Sequence, residues 1–457
     1  MDITKLKENV LSLAKITVEI VENERLHNKL EYVYESYVRI NVVDFRYDDS
    51  GLDIKKNIEP FRKPFLNNLP KLLTEIQKTE AYHLLNDYLR VNLPPDEPEL
   101  QEISFFVQRI VNKYCENNTI SQSEIEMIAQ GFISDLTKTP AESGAIVQLV
   151  GLILHPEEID LGSEIKIRKP KKEDFEIERH MFHFLPEPVF LNPTAFLEIS
   201  KKTSKPMEIQ TEIQKAITLL QFFRIGSVKY ISYQMNSSSR TLFGNMTVGS
   251  GDTSYPVYTY IISQKDSEKL QYFWTALSEY LSQNIYQPGG QEKDHVSIAF
   301  DRYKDALIQT EIDERRITNI MMGLEALYFG ENERQEMDYR LQLRMGKVLG
   351  MLSFDPILVK NAVKEAYNIR SIFSHGGLLD VKDKNRCLKK FPGGLVPLTK
   401  FMIDLLRVSL IMSIIIKTKK TQLVNLIDNS MVNEKDNQDL VNVLDPIKKL
   451  IEKTKIN

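Results

Sequence analysis

The chain reads as a multidomain protein, mainly α-helical with a central α+β region, and three observations predict this. Its 457 residues amount to about three domains of ordinary size. Apolar residues recur every three to four positions through both ends of the chain, the spacing of one helix face. Between those ends stands a stretch of short β-rich runs separated by Gly, Pro, Ser and Asn. The expected division is a helical N-terminal domain over 1–155, an α+β middle region with a connecting helix over 156–290, and an all-helical domain over 295–457.

Taken in order, Leu6, Val10, Leu13, Thr17 and Ile20 mark one face of a first helix. The same spacing recurs around Phe65 to Leu89, Leu100 to Tyr114 and Ile120 to Leu136. Pro94, Pro95 and Pro98 withdraw backbone donors and split this part into two lobes. From His155 to about Ser263 the runs EIKIRKPKK, FHFLPEPVFLN, SVKYISYQM and YPVYTYIIS predict strands, interrupted by a helix near Glu208 to Phe223. Met235 to Ser254 predicts a loop or hairpin, and Ser267 to Ile285 a helix carrying Trp274. QPGGQEKD at 287–294 supplies a linker.

Beyond it Ile317, Ile320, Met321, Leu324, Leu327 and Tyr328 form one apolar face. Asp355 and Pro356 suit the N-cap and first turn of another helix, and Gly376 with Gly377 its end. A long loop, Gly376 to Pro397, is expected next, then an apolar helix from Leu398 to Ile416 and a polar helix after Thr421.

Composition excludes several classes. Cys115 and Cys387 stand far apart, so neither a disulfide scaffold nor a Cys-rich zinc module fits, and a reducing cytoplasm is expected. The N-terminal stretch is charged and amphipathic, unlike a secretory leader. The most apolar run, Phe401 to Ile416, carries Asp404 and Arg407 and falls short of the roughly 20 residues a membrane span needs. Charge is uneven: the whole chain carries −4, yet Arg340 to Lys420 holds 16 basic residues against five acidic ones. Such asymmetry suits a polyanionic partner, nucleic acid first among them.

VKEAYNIRSIFSHGG, from Val363 to Gly377, carries the candidate chemistry. On a helix beginning at Asp355, the residues Leu358, Ala362, Ala366, Ile369 and Phe373 share one stripe, with Arg370 at its edge. His375 lies five steps beyond Arg370, hence about 140° round the axis. One straight helix therefore keeps the two groups apart, unless it unwinds at Gly376 or a second copy of the chain completes the cleft. An imidazole with a pKa near 6.5 can take a proton from an RNA 2′-hydroxyl or give one to a leaving 5′-oxygen, and an arginine fork can stabilise the phosphate between them. No metal is needed for that chemistry, and no Cys and carboxylate cluster accompanies Arg179, His180 and His183 to make a metal site. No cofactor is expected.

The run from about Ser297 to Ile416 resembles the HEPN superfamily, and its Apea-like branch in particular, through GLEALYFG at Gly323 to Gly330 and YNIRSIFSHGG at Tyr367 to Gly377. The likeness covers about a quarter of the chain. It implies a C-terminal all-α HEPN bundle, with the family's Arg, polar and His positions falling on Arg370, Ser371 and His375. Ser371 occupies a slot where Asn, Asp or His is more usual. Glu325 within GLEALYFG is a further candidate, either to tether Arg370 or to polarise His375, and Lys389 and Lys390 are candidates to meet RNA phosphates.

The resemblance implies a cytoplasmic, homodimeric, metal-independent endoribonuclease that leaves a 2′,3′-cyclic phosphate, a toxin or antiphage abortive-infection effector regulated by its N-terminal region. Its expected partners are RNA, with tRNA a natural target, an antitoxin or a phage-derived trigger, and no membrane. Two alternatives remain: a catalytically silent HEPN module for RNA or nucleotide binding or dimeric assembly, and a scaffold whose N-terminal portion carries the function.

Overall fold

Local side-chain chemistry sets where many elements begin. Asp2 accepts a hydrogen bond from the Thr4 amide (2.9 Å) and opens α1 (Ile3–Leu26), whose buried Leu6, Val10, Leu13, Ala14, Thr17 and Val21 keep helical spacing. The computed structural model describes residues 2–454 apart from 28, 93–98, 138–140, 163, 181–191, 204–205, 238–244, 250–254, 287–292, 310–311, 331–332, 334 and 392. α1 packs with α2 (Leu69–Gln77), α3 (Glu80–Asn92), α4 (Glu99–Asn117) and α5 (Gln122–Thr137) around one apolar interior, in which Phe106 stacks on Phe132 at 4.7 Å.

Between α1 and α2 runs a long antiparallel hairpin, β1 (Tyr32–Asp48) and β2 (Gly51–Leu66). The expectation of a helical stretch over 1–155 is corrected here. Tyr, Val, Ile and Phe recur through β1 at the alternation a pleated ribbon favours, and the turn DDSG closes it. There the Ser50 amide donates to Asp48 Oδ1 (2.7 Å), and Gly51 takes φ +111°. Tyr47 ties the hairpin to the rest of the fold: its hydroxyl donates to the Thr194 carbonyl (2.7 Å) and accepts from the Leu154 amide (2.9 Å). Burial pushes this phenol up to about 12. Beside it Val42, Leu52, Phe175 and Phe196 form a small cluster of their own.

Nine further strands follow among the described residues: β3 (Ala141–Val150), β4 (Leu152–Leu154), β5 (Glu158–Asp160), β6 (Ile165–Arg168), β7 (Ile177–His180), β8 (Ala195–Thr203), β9 (Lys229–Ser237), β10 (Asn245–Gly249) and β11 (Tyr260–Ile262). Six of them form an antiparallel sheet in the order β10-β9-β3-β8-β6-β5. β7 extends the hairpin by pairing with β1, and β4 pairs with β11 in parallel. The sheet thus begins at Ala141, ahead of the boundary expected at 155, because the alternating Ala145, Val147 and Leu149 of β3 are buried beneath α6 (Pro206–Phe223). The strand expected over 182–192 lies, except for Asn192, outside the described residues. The expected hairpin after Met235 is present as β9 and β10. The helix expected over 267–285 divides into α7 (Gln264–Ser278) and α8 (Gln283–Tyr286).

The C-terminal part is all-helical among the described residues: α9 (His295–Lys304) leading into a π-helical turn, then α10 (Asp313–Tyr328), α11 (Met337–Met351), α12 (Pro356–Ser374), α13 (Val381–Lys390), α14 (Leu395–Ile416), α15 (Lys420–Asn429) and α16 (Glu434–Thr454). Two expectations change. The loop from Gly376 to Pro397 contains α13, capped by Asp380, which accepts from the Asp383 amide at 2.7 Å, and the closing helix is two. No helix among the described residues is long and apolar enough to cross a membrane.

One continuous apolar interior extends from Ala145 on β3 to Leu450 on α16. Polar stitches cross the expected boundary at 290–295: Arg407 of α14 donates to the Phe222 carbonyl (2.7 Å) and Tyr303 of α9 to the Gln221 carbonyl (2.8 Å), both at the end of α6. The sheet and the helical bundle therefore share a core, while the N-terminal helices have their own.

Candidate active site

α12 begins where Asp355 accepts from the amides of Ile357 (2.8 Å) and Leu358 (3.2 Å), with Pro356 in the first turn. Its fully buried stripe is Val359, Ala362, Val363, Ala366 and Ile369. The expected stripe is therefore rotated: Leu358 is 37% exposed and Phe373 half-buried, because α10 and α11 press on the Val359 and Val363 side. Arg370 remains at the edge. From there it reaches α10, where its Nη1 donates to Glu325 Oε1 at 2.5 Å, and its Cζ stands 5.7 Å from the Tyr367 ring centroid. Burial raises the Glu325 carboxyl above its ordinary value, and Arg370 opposes that shift. Of the two roles open to Glu325, tethering Arg370 is the one its contact serves.

His375 is the C-cap of α12, its amide donating to the Ser371 carbonyl (3.3 Å). Gly376 follows at φ +81°, its amide donating to the Phe373 carbonyl (3.0 Å), and the Gly377 amide donates to Ile372 (3.1 Å). These are the paired bonds of a Schellman ending, which requires a left-handed residue after the cap. A side chain at Gly376 meets no atom within 4 Å, so its backbone angle alone is the obstacle. Gly376→Ala is expected to cost about 1–2 kcal/mol and Gly376→Asn less, as read by denaturant unfolding; equal stability of the two variants and the parent would show that this ending does not fix His375.

The imidazole of His375 is exposed and makes no hydrogen bond or ion pair among the described residues, and the Ser371 side chain is likewise exposed and unbonded. No hydrogen bond joins Arg370 to His375 within one chain. The fold supplies both groups on the last turns of one helix, on different sides of it, one anchored and one free, without bringing them together.

α13 alters the reading of the basic residues. Glu365 of α12 is 1% exposed and accepts from Arg386 Nε (3.1 Å) and Lys390 Nζ (3.1 Å). Cys387, also buried, sits in the same seam, and burial raises its thiol. Lys390 is thus no free loop cation: a carboxylate removed from water demands a paired charge, and Lys390 supplies half of it. Lys389 lies on the same last turn, exposed and without a partner among the described residues. Sequence reasoning missed Glu365, although its position three residues after Ala362 and four before Ile369 places a carboxylate against an apolar stripe, which calls for a cation.

No group of three or more His, Cys, Asp and Glu stands at metal-holding distance among the described residues. Arg179 and His180 lie on β7, opposite Val38 and Tyr37 of β1, and His183 lies outside the described residues. Set beside protein-family models, curated proteins and solved structures, the chain matches none.

Proposed function

We propose that the protein is a metal-independent endoribonuclease of the HEPN kind, acting as a homodimer. The observation that carries the reading is the end of α12: an imidazole free in solvent at the C-cap, five residues beyond an arginine held in place by Glu325. In the proposed reaction His375 takes the proton of an RNA 2′-hydroxyl and the 2′-oxygen forms a bond to phosphorus. The bond from phosphorus to the 5′-oxygen breaks, an imidazolium returns a proton to that oxygen, and the products are a 2′,3′-cyclic phosphate and a 5′-hydroxyl. Arg370 stabilises the charge that gathers on the phosphoryl oxygens, since four of its five N–H groups remain beyond the one given to Glu325. The angular separation of the two groups favours a cleft completed by the second copy, with one His375 as base and its counterpart as acid. We place the trigger, an antitoxin or a phage component, on the N-terminal region, and the role in cellular defence.

The test is cleavage of total RNA and purified tRNA in EDTA, with end-group analysis, by wild type, Arg370→Ala and His375→Ala. Cyclic-phosphate ends lost in both variants are the expected result. The Glu325 contact also favours a second reading, a silent module that binds RNA, because an arginine already paired with a carboxylate is partly withdrawn from phosphate. RNA binding that is indifferent to both substitutions, with no cleavage, would establish it.

A further inference from the structure

α13 has little apolar surface with which to stay docked. Six of its ten residues are charged, and Lys382, Lys384 and Lys389 face solvent. The chain enters it from Gly376 and Gly377 and leaves it through Gly393 and Gly394. Three of these four glycines take φ between +81° and +88°, a backbone that other residues rarely adopt and a natural place for a hinge.

A short seam docks the helix. Leu379, Cys387 and Phe391 are buried, with Phe391 5.7 Å from Phe401 of α14, while Leu378 and Val381, 66% and 76% exposed, already stand clear of the seam. The polar half is the clasp of Arg386 and Lys390 on Glu365, and it is uneven. Glu365 is 1% exposed and the two cations 38% and 44%, so the carboxylate stays under α13 only while both cations stay with it. Arg386 Nη2 is buried without an acceptor among the described residues. A buried ion pair adds little net stability, because desolvation offsets most of the attraction. α13 is thus held by a few contacts that release together.

Docking also reaches the candidate site. The amides of Gly376 and Gly377 bond to the Phe373 and Ile372 carbonyls, which fixes His375 as the C-cap of α12, about 140° round the axis from Arg370. We propose that α13 is a hinged strap. Docked, it holds His375 away from Arg370 of its own chain; undocked as a unit, it lets the last turn of α12 unwind and re-aim the imidazole. As regulation of cleavage this rests on the nuclease reading, whereas the local opening does not.

The two cysteines report on it, Cys387 in the seam and Cys115 in the separate N-terminal interior, both buried. The experiment is alkylation of the native full chain with iodoacetamide, read at each cysteine by mass spectrometry, beside hydrogen exchange at residues 375–377. Cys387 is expected to react at least about tenfold faster than Cys115, through an opening smaller than global unfolding, and residues 375–377 to open with it. Lys390→Gln should speed Cys387 by about tenfold or more and leave Cys115 unchanged. Lys389→Gln, on the same turn but without a partner among the described residues, should alter neither. Cys387 no faster than Cys115, equal acceleration of both cysteines by Lys390→Gln, the same acceleration by Lys389→Gln, or residues 375–377 protected while Cys387 reacts would each overturn the proposal. Where wild type cleaves RNA, Lys390→Gln should cleave it severalfold faster in single turnover at saturating RNA, and an unmoved rate would deny the strap its hold on the site. Absence of cleavage in every protein, with labelling as expected, would refute the nuclease reading and leave the strap standing.

Discussion

His375→Ala is expected to slow RNA cleavage by about 100- to 10,000-fold, the usual contribution of a positioned acid or base, while changing stability by no more than about 0.5 kcal/mol. The separation of the two effects follows from the side chain's surroundings. The imidazole is exposed and unbonded, and the cap bonds of α12 are made by backbone groups that alanine retains. Arg370→Ala should abolish cleavage as well but behave differently on unfolding. It leaves Glu325, whose side chain is 14% exposed, without its cation, a loss of about 1–3 kcal/mol. Arg370→Lys keeps the charge without the planar fork, so stability should recover further than activity. Single-turnover cleavage of end-labelled RNA, beside denaturant unfolding, reads both quantities. Full activity in His375→Ala would remove the histidine from the mechanism.

Arg344→Met is expected to destabilise the fold by about 3–5 kcal/mol, the largest single-residue effect anticipated here. Arg344 is 2% exposed and its guanidinium bonds Glu333 at 2.6 and 2.7 Å, Asp428 at 2.6 and 2.7 Å and the Tyr328 carbonyl at 2.7 Å. It therefore fastens the end of α10 to α11 and α15, and methionine would fill the space while leaving Glu333 with only Arg340 and the Gly330 amide and Asp428 without this cation. Those hydrogen bonds from Arg344 hold Glu333 well below its ordinary value of 4.5, at about 2. A carboxyl depressed in the folded state stabilises fully above its unfolded pKa, and that stabilisation, about 3 kcal/mol, is lost as pH falls from about 4.5 towards 2. The gap in unfolding free energy between wild type and Arg344→Met should therefore be widest at neutral pH and narrow through that acid window. A gap independent of pH would show that Glu333 is not the partner that matters.

Much of the helical architecture was legible because it rests on local rules. Asp355 and Pro356 opened α12, Gly376 and Gly377 ended it, and the apolar face from Ile317 to Tyr328 is buried on α10. The hairpin β1–β2 was missed because its register depends on pairing across sixteen residues of partner strand, although DDSG marks its turn. α13 was missed for another reason. DVKDKNRCLKKF is mostly charged, and what holds it is Glu365 on a different helix, a contact no window of local sequence contains. The same contact reassigned Lys390. The edge position of Arg370 followed from helical angles alone, whereas its anchor, Glu325, stands 45 residues away and was legible only as a candidate.

The unbroken interior from Ala145 to Leu450 bears on how such a chain can be inherited. Exchanging residues 1–137 for another head would give up the small cluster around Phe175 and Phe196, the β1–β7 pairing and the Tyr47 bonds to Thr194 and Leu154, yet leave the main interior closed. The bundle that carries Arg370 and His375 has no such freedom. Transplanted without the sheet, it would uncover Phe300 and Tyr303, which rest on Phe222 at 5.2 and 5.8 Å, and strand Arg407 without the carbonyls it now meets. Recombination can therefore re-equip this protein at its head, while the sheet and bundle descend together as one cassette.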